Sequence, residues 1–404
     1  MEQMKNRVLI VNKFYYPRGG DCICAMNLER LLDEKDFDTA VFSMDYPENM
    51  TSEWSAYFAS QVEFSGSVSK KLKAMKRIFG MGDIRDSFSR ILDDFAPDIV
   101  HLHNIHSYLS PQLAAMARKR GMKVVWTLHD YKLICPSYNC VSDGQPCEDC
   151  ITSPFSVVRK RCMKGSMAAS VMAWLEARKW SRQVLERNVN AFVCPSGFMR
   201  EMMLKGGFQP GKLHMLWNFV DPEKLKRFAQ SDLSSEREDY CCYVGRLSAE
   251  KGVEMMLETV ARSPYHIKVA GTGPLHEQLM ERYTGCDNIE FLGYQNAEQV
   301  SALLDKATCS VIPSLCYENN PLSVIESLCA GTPVVGAEIG GIPELLSPGE
   351  SGFVFRSGSR EDLRRALDGA FAHNWNNKAI KAIALENFSG ERHYEILKNI
   401  YQTC

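Results

Sequence analysis

Three observations predict an α/β protein built from two Rossmann-like domains. Short apolar runs alternate with segments of helix length along nearly the whole chain, and this rhythm runs once to about residue 217 and then restarts. Several strand candidates end in loops that carry glycine or charge. Strand–helix alternation builds parallel sheets, because a parallel neighbour can be reached only by a crossover, and crossovers are right-handed. In the first series the strand candidates are Val8–Val11, Thr39–Phe42, Asp98–Leu102, Lys123–Leu128 and Ala191–Cys194. In the second they are Tyr240–Val244, His266–Ala270, Asn288–Leu292, Cys309–Ile312 and Pro333–Val335. Each is a short, β-branched-rich run with turn residues beyond it, which suits a strand buried on both faces. The turn-rich stretch Trp217–Pro222 reads as a hinge between an N-terminal domain, 1–217, and a C-terminal domain, 218–385. Residues 230–239 read as a polar loop, and Glu391–Tyr401 as a helix within a final segment, 386–404.

The chain length of 404 residues suits two domains at roughly 150 residues each. With 47 basic and 49 acidic residues the net charge is −2, which excludes a surface that is an electrostatic trap for nucleic acid as a whole. No nucleic-acid partner is expected. No apolar run approaches the roughly 18 residues of a membrane-spanning helix. The run Val8–Val11 is too short for a signal-peptide core, so the expected location is cytoplasmic. Of fifteen cysteines, five lie between Cys135 and Cys162, and in a reducing compartment a disulfide scaffold is not expected of them.

Ligands of open parallel sheets sit beyond the carboxyl ends of the strands, where loops lead into helix starts. Five features fall there: Gly19-Gly20, His129-Asp130, Gly245-Arg246, Gly271-Thr272-Gly273 and Glu318–Pro321. The richest is Cys316–Glu326. Pro321 suits the first turn of a helix, since its missing N–H is not needed there. Glu318 then lies in the loop before the helix and Glu326 on the second turn. The amides around Asn319, Asn320 and Leu322 point outward with the positive end of the helix dipole, ready for a phosphate or sugar oxygen. Two carboxylates so spaced can grip different hydroxyl-bearing parts of one extended ligand, whereas the plain alternative is two solvated glutamates flanking a helix start. In Val244–Gly252, Arg246 and Lys251 flank another helix start, and both cations could reach one diphosphate and offset charge on it as it departs. The plain alternative is a pair of surface cations.

These residues resemble the retaining glycosyltransferases of the GT-B fold, and specifically family 4. Glu318 and Glu326 match the E-x7-E pattern, and Arg246/Lys251, Gly271–Pro274, Ala330–Val335 and Gly340–Glu344 fit the same family in the same order. The resemblance spans essentially the whole chain and is looser in the first half. It implies two Rossmann-like domains with a central cleft that closes to exclude water, and a final helix crossing back to the first domain. It also implies transfer of a sugar from a nucleotide-diphosphate-sugar donor to a glycan or lipid-linked acceptor, with retention and without a catalytic metal or other required cofactor. The setting implied is bacterial surface polysaccharide assembly. By the same resemblance Arg246 and Lys251 hold the diphosphate and Glu326 the ribose. Glu318 and His129 reach the donor sugar, Gly20 lets backbone approach donor phosphate and acceptor, and Tyr294 and Gln295 meet the base. Relatives often have Gly-Phe-Gly where this chain has Asn319-Asn320-Pro321. The rival readings are a nucleotide-sugar epimerase, which needs no acceptor, and a non-catalytic nucleotide-sugar binding module, which would be expected to have lost part of the motif.

Further features stay open. His129 either orients a sugar hydroxyl or caps its loop, and His101, His103 and His106 form a cluster that suits acceptor contacts, loop polarity or a metal. No covalent nucleophile is assigned, so double displacement and front-face attack both remain. Cys147 and Cys150 have zinc-knuckle spacing, which Cys135 or Cys140 with Cys162 could complete; free thiols or a redox disulfide are the alternatives. Residues 68–79 carry five basic residues and no acid. If helical, Val68, Leu72, Met75 and Phe79 share a face that suits either an anionic membrane surface, giving a peripheral protein, or docking on the protein's own domain.

Overall fold

The computed structural model describes residues 6–35, 37–64, 66–231 and 237–404. Two compact units divide it: the first comprises 1–142, 147–217 and 394–404, the second 143–146 and 218–393. Each is built on a six-stranded parallel sheet. In the first unit the strands are β1 (Arg7–Val11), β2 (Asp38–Phe42), β3 (Ile99–Leu102), β4 (Lys123–Thr127), β5 (Ala191–Cys194) and β6 (Leu213–Met215), in the order β2-β1-β3-β4-β5-β6. In the second they are β7 (Glu238–Val244), β8 (His266–Ala270), β9 (Ile289–Gly293), β10 (Ala307–Ile312), β11 (Val334–Ala337) and β12 (Gly352–Phe355), in the order β9-β8-β7-β10-β11-β12. Helices cover both faces of such sheets, so a central strand is apolar at every position, as in Val8-Leu9-Ile10-Val11, all fully buried.

β6 and β12 were not expected, while the other ten strands fall on the runs identified in the sequence, with ends shifted by one or two residues. Residues 232–236 of the expected 230–239 loop lie outside the described residues; a helix ends at Gln230 before them and β7 begins at Glu238 after them. The final helix runs Gly390–Thr403. Its Leu397, Ile400 and Tyr401 join Val8, Ile10, Leu28, Leu32 and Val125 in one buried cluster of the first unit. Among the described residues no helix is long and apolar enough to cross a membrane.

Strand order fixes where ligand loops can converge. In the second unit it reverses between β7 and β10, and in the first between β1 and β3. At such a switch point the connections leave to opposite faces and open a crevice beyond the carboxyl ends.

Candidate active site

In the second unit, the turn after β7 and the loop after β10 meet at the switch point. Lys251, the last residue of a 3-10 turn (Ala249–Lys251), donates from Nζ to Glu318 Oε1 at 2.6 Å. Ser314 Oγ donates to the same oxygen at 2.6 Å. Burial works against the Lys251 ammonium, but the adjoining Glu318 charge outweighs it and holds Lys251 above the usual lysine range. Two glycine positions make this approach feasible. Gly252 has φ +69°, and a Cβ there would stand 1.9 Å from the Pro313 carbonyl oxygen. Gly340 has φ +59°, and a Cβ there would stand 2.6 Å from Glu318 N, while the next amide, Gly341 N, donates to Glu318 O at 2.7 Å. The Gly340-Gly341 pair thus backs the Glu318 peptide directly. Arg246 lies exposed in the β7 turn, its carbonyl accepting from Tyr243 OH at 2.8 Å.

Glu326 lies on the second turn of the helix Leu322–Cys329. Its Oε1 accepts from Lys224 Nζ at 2.5 Å. Lys224 comes from the helix Pro222–Gln230, whose start is capped by Asp221 Oδ1 accepting from Glu223 N and Lys224 N. Pro321 occupies the capping position with extended ψ rather than the first helical turn, because the helix begins one residue later, at Leu322. Asn320 is buried, and its side-chain oxygen accepts from Asn218 N at 2.8 Å while its carbonyl accepts from Asn218 Nδ2 at 3.0 Å. Its oxygen therefore ties the loop to Asn218, and its Nδ2 has no hydrogen-bond partner among the described residues. Asn319 and Leu322 on either side are half-buried. After β9, Tyr294 is 78% exposed, and Gln295 folds back to donate from Nε2 to the carbonyls of Leu292 and Tyr294.

In the first unit, Gly20 is the first residue of the helix Gly20–Glu34, and the space a Cβ would fill is open. Next to it, Asp21 accepts from Asn104 Nδ2 at 3.0 Å and lies 3.6 Å from Lys13 Nζ. Burial alone would raise the Asp21 carboxyl, but Lys13, His129 and hydrogen bonds reverse that and lower it. Beyond β4, burial pushes His129 down to about 4, so the imidazole is neutral near pH 7. His129 Nε2 lies 2.9 Å from His103 Nδ1, edge to edge, and His101 stacks on His103, so that the planes of neighbouring rings lie 17° from parallel. Burial also keeps His106 well below the usual histidine range and raises Asp130, whose Oδ1 accepts from Lys132 N at 2.9 Å.

Sequence reasoning did not find Lys13, Asp21, Asn104, Ser314 or Lys224. Asn104 and Lys224 act through partners 83 and 102 positions away, which no local spacing announces, while Ser314 and Lys13 stand four and eight positions from Glu318 and Asp21 in loops without a repeating pattern. Nor did it find the junction of Cys135 with the thiols of Cys140 and Cys150. Hydrogen bonds from those thiols hold Cys135 well below the usual range, and the contact raises the other two. All fifteen cysteines are free, and among the described residues no group of three or more His, Cys, Asp or Glu is arranged to hold a metal. The basic stretch forms the helix Val68–Ile78, and docking on its own domain, one of the two arrangements the sequence left open, applies only to its C-terminal half. Ala74, Arg77 and Ile78 are buried, whereas Val68, Leu72 and Met75 are exposed at 83, 50 and 40%, alongside exposed Lys70, Lys71, Lys73 and Lys76.

The family model described as Glycosyltransferase Family 4 matches residues 19–224, half of the chain. The chain belongs to glycosyltransferase family 4. A second model, Glycosyl transferases group 1, matches residues 226–384 of this glycosyltransferase. A relative from Klebsiella pneumoniae, an uncharacterized 42.6 kDa protein in the cps region, is 25% identical over 84% of this chain and 87% of its own. The putative colanic acid biosynthesis glycosyltransferase WcaL of Salmonella typhimurium is 29% identical over 31% of this chain and 34% of its own. Among solved structures, Anabaena HepE in complex with UDP-glucose superposes with a TM-score of 0.63 at 15% identity, covering 98% of this chain and 99% of that one. The two Rossmann-like units of this family 4 protein have the GT-B fold.

Proposed function

We propose that this glycosyltransferase moves a sugar from a nucleotide diphosphate donor to a glycan or lipid-linked acceptor in polysaccharide assembly, with retention of anomeric configuration and without a catalytic metal. The observation that carries the reading is the Lys251–Glu318 pair, 2.6 Å apart at the β7/β10 switch point. A diphosphate entering there draws Lys251 toward its oxygens and frees Glu318 for the hydroxyls of the donor sugar. Arg246 faces the same diphosphate, and the first-turn amides from Leu322 add the positive end of a helix dipole. Together these fixed charges offset the negative charge that grows on the leaving diphosphate, the role a divalent ion would otherwise fill. Glu326 accepts the ribose hydroxyls, Tyr294 and Gln295 border the base, and Asn319 and Asn320 frame the sugar. Gly20 leaves space for backbone to approach a ligand, and His129 offers an uncharged ring nitrogen to the donor sugar.

The comparisons support the setting. One relative is named for colanic acid biosynthesis and another for a cps region, and a structural neighbour binds UDP-glucose. The helix Val68–Ile78 supports attachment to the inner, anionic face of a membrane, since Val68, Leu72 and Met75 share one exposed side and Lys71, Lys73 and Lys76 are exposed around it. Each lysine near such a surface contributes about 1 kcal/mol.

A thermal-shift series with nucleotide diphosphate sugars, each with and without chelator, tests the donor and the metal question together. The expected result is a stabilising shift by one donor class that persists in chelator, followed by glycosylated product only when acceptor is added. A changed sugar formed from donor alone would make the protein an epimerase. Binding without any turnover would make it a binding module.

A further inference from the structure

We propose that His103 is a positioning residue that locks the His129 imidazole into one ring orientation and one tautomer, leaving Nδ1 as the ring nitrogen available to the donor sugar. The proposal rests on the reading of His129 given above and deepens it. His103 Nδ1 and His129 Nε2 are 2.9 Å apart, so one N–H bridges the two ring nitrogens, and His129 Nε2 is committed to that bond. Which nitrogen of an imidazole carries the proton is set by the bond the other nitrogen makes. With His103 Nδ1 as donor, His129 carries its own proton on Nδ1; with His129 Nε2 as donor, Nδ1 is left as an acceptor, so the direction of this one bond decides what Nδ1 presents.

His103 can impose this because it cannot move. It is 2% exposed, and its carbonyl accepts from Trp126 Nε1 at 2.8 Å. His101 stacks on it with ring centroids 4.7 Å apart and planes 17° from parallel, while His129 meets it edge to edge, nitrogen to nitrogen, with ring centroids 5.2 Å apart and planes again 17° from parallel. His101 is pinned at both nitrogens, Nδ1 to Tyr401 OH at 2.6 Å and Nε2 to Thr127 Oγ1 at 2.7 Å. Thr127 ends β4 two residues before His129, so the bonds from His101 and His103 brace both sides of that strand exit. A side chain fixed in this way reaches the reacting geometry with little reorganisation, which is where orientation contributes to rate.

Nitrogen-15 spectra of the imidazoles in the ligand-free full chain, read together with steady-state kinetics, test the proposal. Wild type should show His129 in a single neutral tautomer. His103→Leu should shift its ring nitrogens toward the mixed values of a free imidazole and lower kcat by about 10²-fold with donor KM little changed. His103→Asn, which keeps a short polar group near the Nδ1 position, should recover both. A melting curve for each variant separates this effect from loss of fold. Unchanged His129 nitrogen shifts in His103→Leu, or a kcat loss that Asn does not recover, would overturn the proposal. Full sugar transfer by His129→Ala would overturn the underlying reading of His129 instead, while the nitrogen shifts would still report on the His103 bond.

Discussion

The two units assemble their candidate sites from opposite materials. In the second unit the side chains are charged and come in ion pairs, Lys251 with Glu318 and Lys224 with Glu326, held at a switch point by glycine-permitted backbone contacts. In the first they are largely rings, a hydrogen-bonded cluster of imidazoles kept neutral at His129 by burial, with Asp21 and Lys13 beside it. A paired charge can exchange its partner for a ligand at modest cost, because the desolvation has already been met in the free protein. A neutral ring can present a hydrogen bond next to a developing positive centre without repelling it. The first arrangement suits gripping a polyanion, and the second suits orienting a sugar.

The sharpest way to break this contrast is to remove a cation. Lys251→Met should lower sugar transfer about 10²–10³-fold, the usual effect of losing one transition-state contact. Wild-type turnover in that variant, measured as donor consumed in the presence of acceptor, would take Lys251 out of the chemistry. A smaller effect is expected at the other pair. Glu326→Ala should weaken donor binding by about 1.5–3 kcal/mol, the range for a hydrogen bond to a charged group, with kcat at saturation largely kept. Calorimetric titration with the donor nucleotide checks it, and an unchanged Kd would remove the ribose role.

The smallest effect lies within the first unit and concerns pH. His129 titrates at about 4 in the fold, against about 6.5 for an unperturbed histidine. The unfolded chain therefore binds more protons between those values, and stability falls as pH falls through them. Glu29 runs the other way. Burial first, and Asp33 after it, push its carboxyl up to about 7, so stability falls as pH rises from about 4.5 toward 7. Relative to wild type, His129→Gln should gain in Tm toward pH 4 and Glu29→Gln toward pH 7. Parallel Tm curves for wild type and both variants would refute the burial argument.

Much of the fold was legible because a strand buried on both faces must be apolar at consecutive positions, and Val124-Val125-Trp126 or Cys309–Ile312 can be little else. Leu213–Met215 and Gly352–Phe355 escaped because they are three and four residues long and lie at sheet edges, where a polar or glycine neighbour blurs the run. Arg246, Lys251, Glu318 and Glu326 were legible as a set because they flank helix starts at strand ends. The pairings were not. Lys251 stands 67 positions from Glu318, Lys224 102 from Glu326, and His103 26 from His129, distances over which sequence carries no register. The helix Val68–Ile78 shows the same limit from the other side. Its apolar periodicity was visible, but periodicity says nothing about whether anything covers the face, and Val68 is left 83% exposed.

Residues 394–404 complete the first unit, yet the chain makes them only after the entire second unit. On the ribosome the early sheet must therefore wait, its hydrophobic seat for Leu397, Ile400 and Tyr401 vacant, while residues 218–393 are synthesised. Nascent chains stalled before residue 394 should expose that seat to chaperones and proteases, and cleavage there should fall on the half of the molecule that was translated first.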